Sequence, residues 1–182
     1  MNIPNQLTLL RILLIPVFVL VFYLPLSWNN YFACLVFTVA AVTDVLDGYL
    51  ARKLNQTSSL GAFLDPVADK LMVAVALVLL VQQNPVIYLA LPAAIIIGRE
   101  ITVSALREWM AEIGARNKVS VSVLGKIKTI AQMLALGFLI FRMPLLGMPV
   151  YEIGLVLLYI AAILTLISMI QYLLAAWPQI KE

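Results

Sequence analysis

Four aspartates stand out in a chain that has very few charges. Asp44 and Asp47 lie three residues apart, and Asp65 and Asp69 four apart. On a helix both spacings put the two carboxylates on one face, one turn apart. The stretch between Asp47 and Asp65 is short, so the two pairs sit on consecutive segments on either side of one tight connection. All four carboxylates can converge there in one pocket. A single ionised carboxylate at mid-bilayer already costs about 2.5–3.5 kcal/mol on insertion scales. Four together must protonate, pair with cations or bind metal. All-oxygen ligands suit hard divalent ions such as Mg²⁺ or Mn²⁺. Two such ions balance four aspartates, and paired metals are suited to phosphoryl chemistry. Small residues accompany the acids: Gly48 follows Asp47, Ala51 is one turn on, and Gly61 is one turn before Asp65. They permit close approach of a ligand or of another helix. Arg52 can reach a phosphate or anchor its segment among headgroups. The chain has no histidine, so proton transfer must fall to a carboxylate, lysine, tyrosine or water.

The elements that position these groups follow from composition. Of 182 residues, 64% are hydrophobic and 12% charged, with a mean hydropathy of +1.05. Soluble domains average about 45–50% apolar and about 25% charged, so the bilayer is the solvent of this chain. A spanning helix takes roughly 20 residues. The expected spans run from about Leu7 to Leu24, Tyr31 to Leu54, Gly61 to Val81, Val86 to Met110, Val123 to Phe141 and Tyr151 to Trp177. In lipid these apolar stretches must be helices. The expectation is an all-α integral membrane protein, one domain over residues 1–182. The lone Cys34 lies in an apolar stretch and reads as a core residue. Met1–Arg11 lacks a basic stretch followed by a small-residue cleavage site and reads as retained.

Lysines and arginines set the orientation. Arg11, Arg52, Lys53, Lys70, Arg107, Arg116, Lys118, Lys126, Lys128 and Lys181 fall toward one side. Arg142 falls toward the other, and Arg99 lies deeper. Both termini and the connections after spans two and four are then cytoplasmic. Nearly every charge lies in the cytoplasmic halves of the spans. A cation pathway across the membrane would need polar groups beyond mid-depth, so a site open to one face fits better than a divalent-cation transporter. A non-catalytic membrane scaffold is the other alternative.

The string Asp44-Val-Leu-Asp47-Gly48-Tyr-Leu-Ala51-Arg52, eight residues, then Gly61-Ala-Phe-Leu-Asp65-Pro-Val-Ala-Asp69 resembles the signature of the CDP-alcohol phosphotransferase family. Every fixed position is matched. Asn2-Ile-Pro4-Asn5 with Leu7, Thr8 and Arg11, Arg99-Glu100, Arg107 through Glu112, Gly125-Lys126-Ile-Lys128-Thr129 and Gln132-Met133 resemble the bacterial branch that uses glycerol 3-phosphate.

The resemblance implies a six-transmembrane-helix bundle with a short N-terminal interfacial segment, usually homodimeric, in the bacterial inner membrane with its site facing the cytoplasm. It implies transfer of the phosphatidyl group of CDP-diacylglycerol to glycerol 3-phosphate, with serine, inositol or inositol phosphate as alternative acceptors, and no nucleic-acid partner. Asp44, Asp47 and Asp65 would ligate the metals, and Asp69 would contact a metal and act as general base. Asp44, Gly48, Ala51, Arg52, Ser58 and Gly61 would line the CDP pocket.

A doubly charged acceptor needs cations, and arginine forks suit phosphate. Glu100, Ser104 and Arg107 share a face of span four. Lys126 starts a stripe with Thr129 and Met133, while Lys128 lies about 200° around the helix from it, so the two lysines face different directions. The acceptor-phosphate set is Arg107, Lys126 and Lys128, with Arg116 and Lys118 as weaker members. Arg99 and Glu100 read as an internal ion pair. A lateral opening for the lipid is expected near span two, five or six.

Overall fold

The computed structural model describes residues 3–54, 59–114 and 123–180. They form six helices: α1 Ile3–Tyr23, α2 Asn29–Leu54, α3 Ser59–Gln83, α4 Ile87–Glu112, α5 Val123–Phe141 and α6 Val150–Ile180. Each expected span has its helix, with ends shifted by a few residues. The segment expected at the N-terminal interface forms the first turns of α1, which runs unbroken from Ile3 to Tyr23.

Four helices hold stretches long and apolar enough to cross a bilayer: Asn5–Tyr23, Asn29–Leu50, Ile87–Glu112 and Val150–Pro178. The other two, α3 and α5, carry ionisable groups in their early turns: Asp65, Asp69 and Lys70 in α3, Lys126 and Lys128 in α5. Large apolar side chains dominate the outward faces. Leu13, Leu20, Val45, Phe63, Ile101 and Leu174 are each 65–70% exposed, a surface that suits acyl chains and not water.

Helix α3 is central and touches α1, α2, α4 and α5. The most extensive packing is α5 on α6 and α1 on α2, followed by α4 on α6. Small residues let these helices approach where hydrophobic association cannot drive them. At Gly154 of α6 an added Cβ would lie 3.0 Å from Leu139 Cγ and 3.2 Å from the Leu139 backbone nitrogen of α5. At the α1–α2 seam Phe18 packs against Phe37, ring centroids 6.1 Å apart, and Phe22 lies 6.0 Å from Phe18 on the same helix.

The short connection makes α2 and α3 antiparallel neighbours. Among the described residues they touch at a few points, and α1 packs along both of them. A short connection fixes how far apart two helix ends are, not which faces meet. The α1 side chains therefore reach the space between the two aspartate pairs.

Candidate active site

The site begins on α1. Asn5, Thr8 and Arg11 recur at three-residue steps on an otherwise apolar helix, and all three are buried, Arg11 to 1% exposure. The Arg11 guanidinium bridges the two carboxylates of α2. Its Nη1 lies 2.7 Å from Asp44 Oδ1, and its Nη2 donates to Asp47 Oδ2. The Thr8 hydroxyl, one turn away, donates to Asp65 Oδ1 of α3 at 2.5 Å and lies 3.5 Å from Asp47 Oδ2. Three of the four aspartates thus meet around two side chains of α1. Asp47 is 3% exposed, and a carboxylate that deep requires a paired cation or strong donors.

Arg11 was counted among the cations that set membrane orientation, and Thr8 was noted only as part of the resemblance. Both belong to the site. The stripe Asn5–Thr8–Arg11 was visible in the sequence as a polar line on an apolar helix, the usual sign of a functional intramembrane residue.

Asp69, one turn beyond Asp65, feels the charge of two halves of the site. It is within electrostatic reach of Asp44 and Arg11 on one side and of Glu100 and Lys128 on the other. The second half lies between α4, α5 and α6. Lys128 is 3% exposed, and its Nζ is 3.6 Å from Glu100 Oε1. Arg99 pairs with Glu100, its Nη1 2.8 Å from Oε2, and donates through Nη2 to Ser168 Oγ of α6 at 3.1 Å. The expected Arg99–Glu100 pair is present, and it ties α4 to α6 as well. Arg107 Nη2 donates to the Tyr172 hydroxyl at 2.7 Å. The guanidiniums of Arg99 and Arg107 lie 5.8 and 5.1 Å from the Tyr172 ring centroid, within cation–π range. Arg99 and Lys128 therefore share one acidic partner, Glu100, while Arg107 is held by a neutral hydroxyl, which leaves positive charge for an anion. Ser168 and Tyr172 were missed in the sequence reading, because α6 offered only an apolar run with scattered hydroxyls.

The candidate acceptor set is divided. Lys128 points into the protein. Arg107 is held by Tyr172 two turns of α4 beyond Arg99, with its side chain more exposed. The side chain of Lys126 lies outside the described residues, as do those of Ala51 and Arg52 and the whole of Ser58, Arg116 and Lys118. Gly61 is buried. An added Cβ at Gly48 would meet nothing within 4 Å. That glycine therefore borders open space and is not a helix-packing contact, as a wall of a ligand pocket requires.

The donor set suits divalent metal: carboxylates from two helices and a threonine hydroxyl, all hard oxygens. Among the described residues, however, no three acidic side chains close around one point. Arg11 bridges the α2 pair instead. Beside the acids, a groove of about 600 Å³ runs between α2 and α5, lined by residues that include Phe37, Val42, Val45, Leu46, Met133 and Phe138.

A family model for CDP-alcohol phosphatidyltransferase matches residues 1–171. The chain is 56% identical over 175 residues to CDP-diacylglycerol–glycerol-3-phosphate 3-phosphatidyltransferases from Escherichia coli strain K12 and Shigella flexneri serotype 5b. The same identity holds for the protein of that name from Shigella boydii serotype 4. Each match covers 96% of this chain and 94% of the relative.

Proposed function

The chain belongs to the CDP-alcohol phosphatidyltransferase family, and from that premise we propose that it transfers the phosphatidyl group of CDP-diacylglycerol to glycerol 3-phosphate, releasing CMP and phosphatidylglycerol phosphate. The identity to transferases of that name, across nearly the whole of both chains, supports this activity. The observation that carries the mechanism is the presence of two charge clusters, Arg11 with Asp44 and Asp47, and Arg99 and Lys128 with Glu100. The first suits a metal-bound pyrophosphate, the second suits the acceptor phosphate, and Asp69 is within electrostatic reach of both.

In this reading Asp44, Asp47, Asp65 and Asp69 hold Mg²⁺ or Mn²⁺, two ions per site. When bound, the ions supply charge neutralisation of the pyrophosphate and activation of the CMP leaving group. Asp44, Gly48, Ala51, Arg52, Ser58 and Gly61 line the CDP pocket. Lys128 and Arg107, with Lys126, bind the acceptor phosphate, and Glu100 and Tyr172 hold the first two in place. Asp69 takes the proton of the acceptor hydroxyl as its oxygen bonds to the lipid-side phosphorus. The bond from that phosphorus to the CMP oxygen breaks, and the pair leaves with CMP. Pre-positioned charges of this kind, needing no rearrangement during the reaction, are the main source of such catalysis.

The groove between α2 and α5 suits the diacylglycerol tails. It is apolar, and Val45 and Leu46 in its wall lie in sequence between Asp44 and Asp47. The excess of lysine and arginine toward one side supports a cytoplasmic site in the bacterial inner membrane. A homodimer is part of the same reading, testable by native mass measurement in nanodiscs.

The direct test incubates purified protein with CDP-diacylglycerol, Mg²⁺ and one alcohol at a time and measures CMP release. Turnover with glycerol 3-phosphate, abolished by chelator and restored by Mg²⁺ or Mn²⁺, is expected. Turnover with serine or inositol phosphate and none with glycerol 3-phosphate would overturn the acceptor assignment.

A further inference from the structure

We propose that Arg11 is a built-in counter-ion that holds the aspartates in the metal-free protein and is exchanged for divalent ions when they load. The proposal rests on the metal reading above and concerns what α1 does before metal arrives. Arg11 is fully buried and contacts both acids of the α2 pair. Its Nε, also buried, has no hydrogen-bond partner among the described residues. The guanidinium engages the two carboxylates through its two ends and leaves its buried Nε without a partner among the described residues, as Arg99 also does.

The geometry explains why the acids do not close around a common point. Arg11 bridges Asp44 and Asp47, while Thr8 draws Asp65 toward Asp47. Charge balance requires some such device. In a low-dielectric pocket carboxylates without metal repel one another, and α2 and α3 touch at only a few points among the described residues. A cation supplied from α1, which packs on both, keeps the pocket assembled. A divalent ion competes for the same oxygens, so Arg11 makes loading weaker than the bare carboxylates would allow. Thr8 is its companion, a neutral donor that holds Asp65 near without competing in charge.

The test measures Mn²⁺ binding to the purified full-length protein in nanodiscs, by loss of the free-ion paramagnetic resonance signal, without substrate. Thermal unfolding is measured alongside, with and without Mn²⁺. The variants are Arg11→Gln and Arg11→Lys. Arg11→Gln is expected to bind Mn²⁺ about tenfold more tightly. Its metal-free form melts lower than the wild type, and its gain on adding Mn²⁺ is larger. Arg11→Lys keeps the charge as a point donor that cannot bridge two carboxylates as a fork does. It should show a smaller rise in affinity, and it covers the case in which the glutamine variant does not fold. Unchanged or weaker Mn²⁺ binding in the folded variants overturns the counter-ion role, since an arginine that is merely structural, or that assists the metal, gives that result. Failure of the wild type to bind Mn²⁺ at all overturns the metal reading itself, and the proposal with it.

Discussion

Replacing Lys128 by Met tests the acceptor half of the pocket most directly. The side chain keeps its length and apolar stem and loses only its ammonium. Lys128 is 3% exposed, so solvent cannot replace the missing charge. Glu100 does not become an unpaired buried acid, because Arg99 remains 2.8 Å away. The fold should therefore survive with a small loss of thermal stability. A charged hydrogen bond contributes about 1.5–3 kcal/mol, and 1.36 kcal/mol is a tenfold change in rate. The expected fall in kcat/KM for glycerol 3-phosphate is roughly 10- to 150-fold, seen mainly as a raised KM. The KM for CDP-diacylglycerol should stay close to wild type. The assay is CMP release with each substrate varied in turn, and melting of the purified protein confirms folding. If the KM for the lipid donor rises instead, and that for glycerol 3-phosphate holds, Lys128 serves the donor and the division of the pocket into two halves is wrong.

Asp69→Asn should lower turnover by about 10²–10⁴, the usual contribution of a general base, while the protein still inserts and binds CDP-diacylglycerol; near-normal turnover would remove Asp69 from that role. Tyr172→Phe keeps the ring against both guanidiniums and deletes the acceptor of the 2.7 Å bond from Arg107. A bond with a charged donor, about 1.5–3 kcal/mol, predicts a roughly 10- to 150-fold rise in the KM for glycerol 3-phosphate, with kcat held; an unchanged KM would show that Tyr172 does not position Arg107. Gly154→Val places a Cβ 3.0 Å from Leu139 Cγ. It should destabilise the α5–α6 seam by about 1–3 kcal/mol, read as a lower unfolding midpoint in detergent with turnover per folded molecule unchanged.

The sequence on its own determined what depends on local periodicity and on the solvent. Lipid admits only segments that satisfy their own backbone, so apolar stretches of sufficient length became helices close to where they were expected. Spacings of three and four residues placed Asp44 with Asp47 and Asp65 with Asp69, because a helix repeats every 3.6 residues wherever it lies. The opposed directions of Lys126 and Lys128 were legible for the same reason. Whether Lys128 faces inward was not, and the fold decided it by burying Lys128 against Glu100.

Contacts between distant segments were the part that only the tertiary structure decided. Arg11 and Asp47 are 36 residues apart, Arg107 and Tyr172 65, and Arg99 and Ser168 69. Nothing in the period of one helix states which face of another it will meet. That depends on the summed packing of all six helices, on small residues such as Gly154 that allow close approach, and on α1 occupying the seam between α2 and α3. An arginine in an apolar helix looks the same in sequence whether it anchors the chain at the headgroups or sits between two aspartates. Burial separates the two roles, and burial belongs to the assembled bundle.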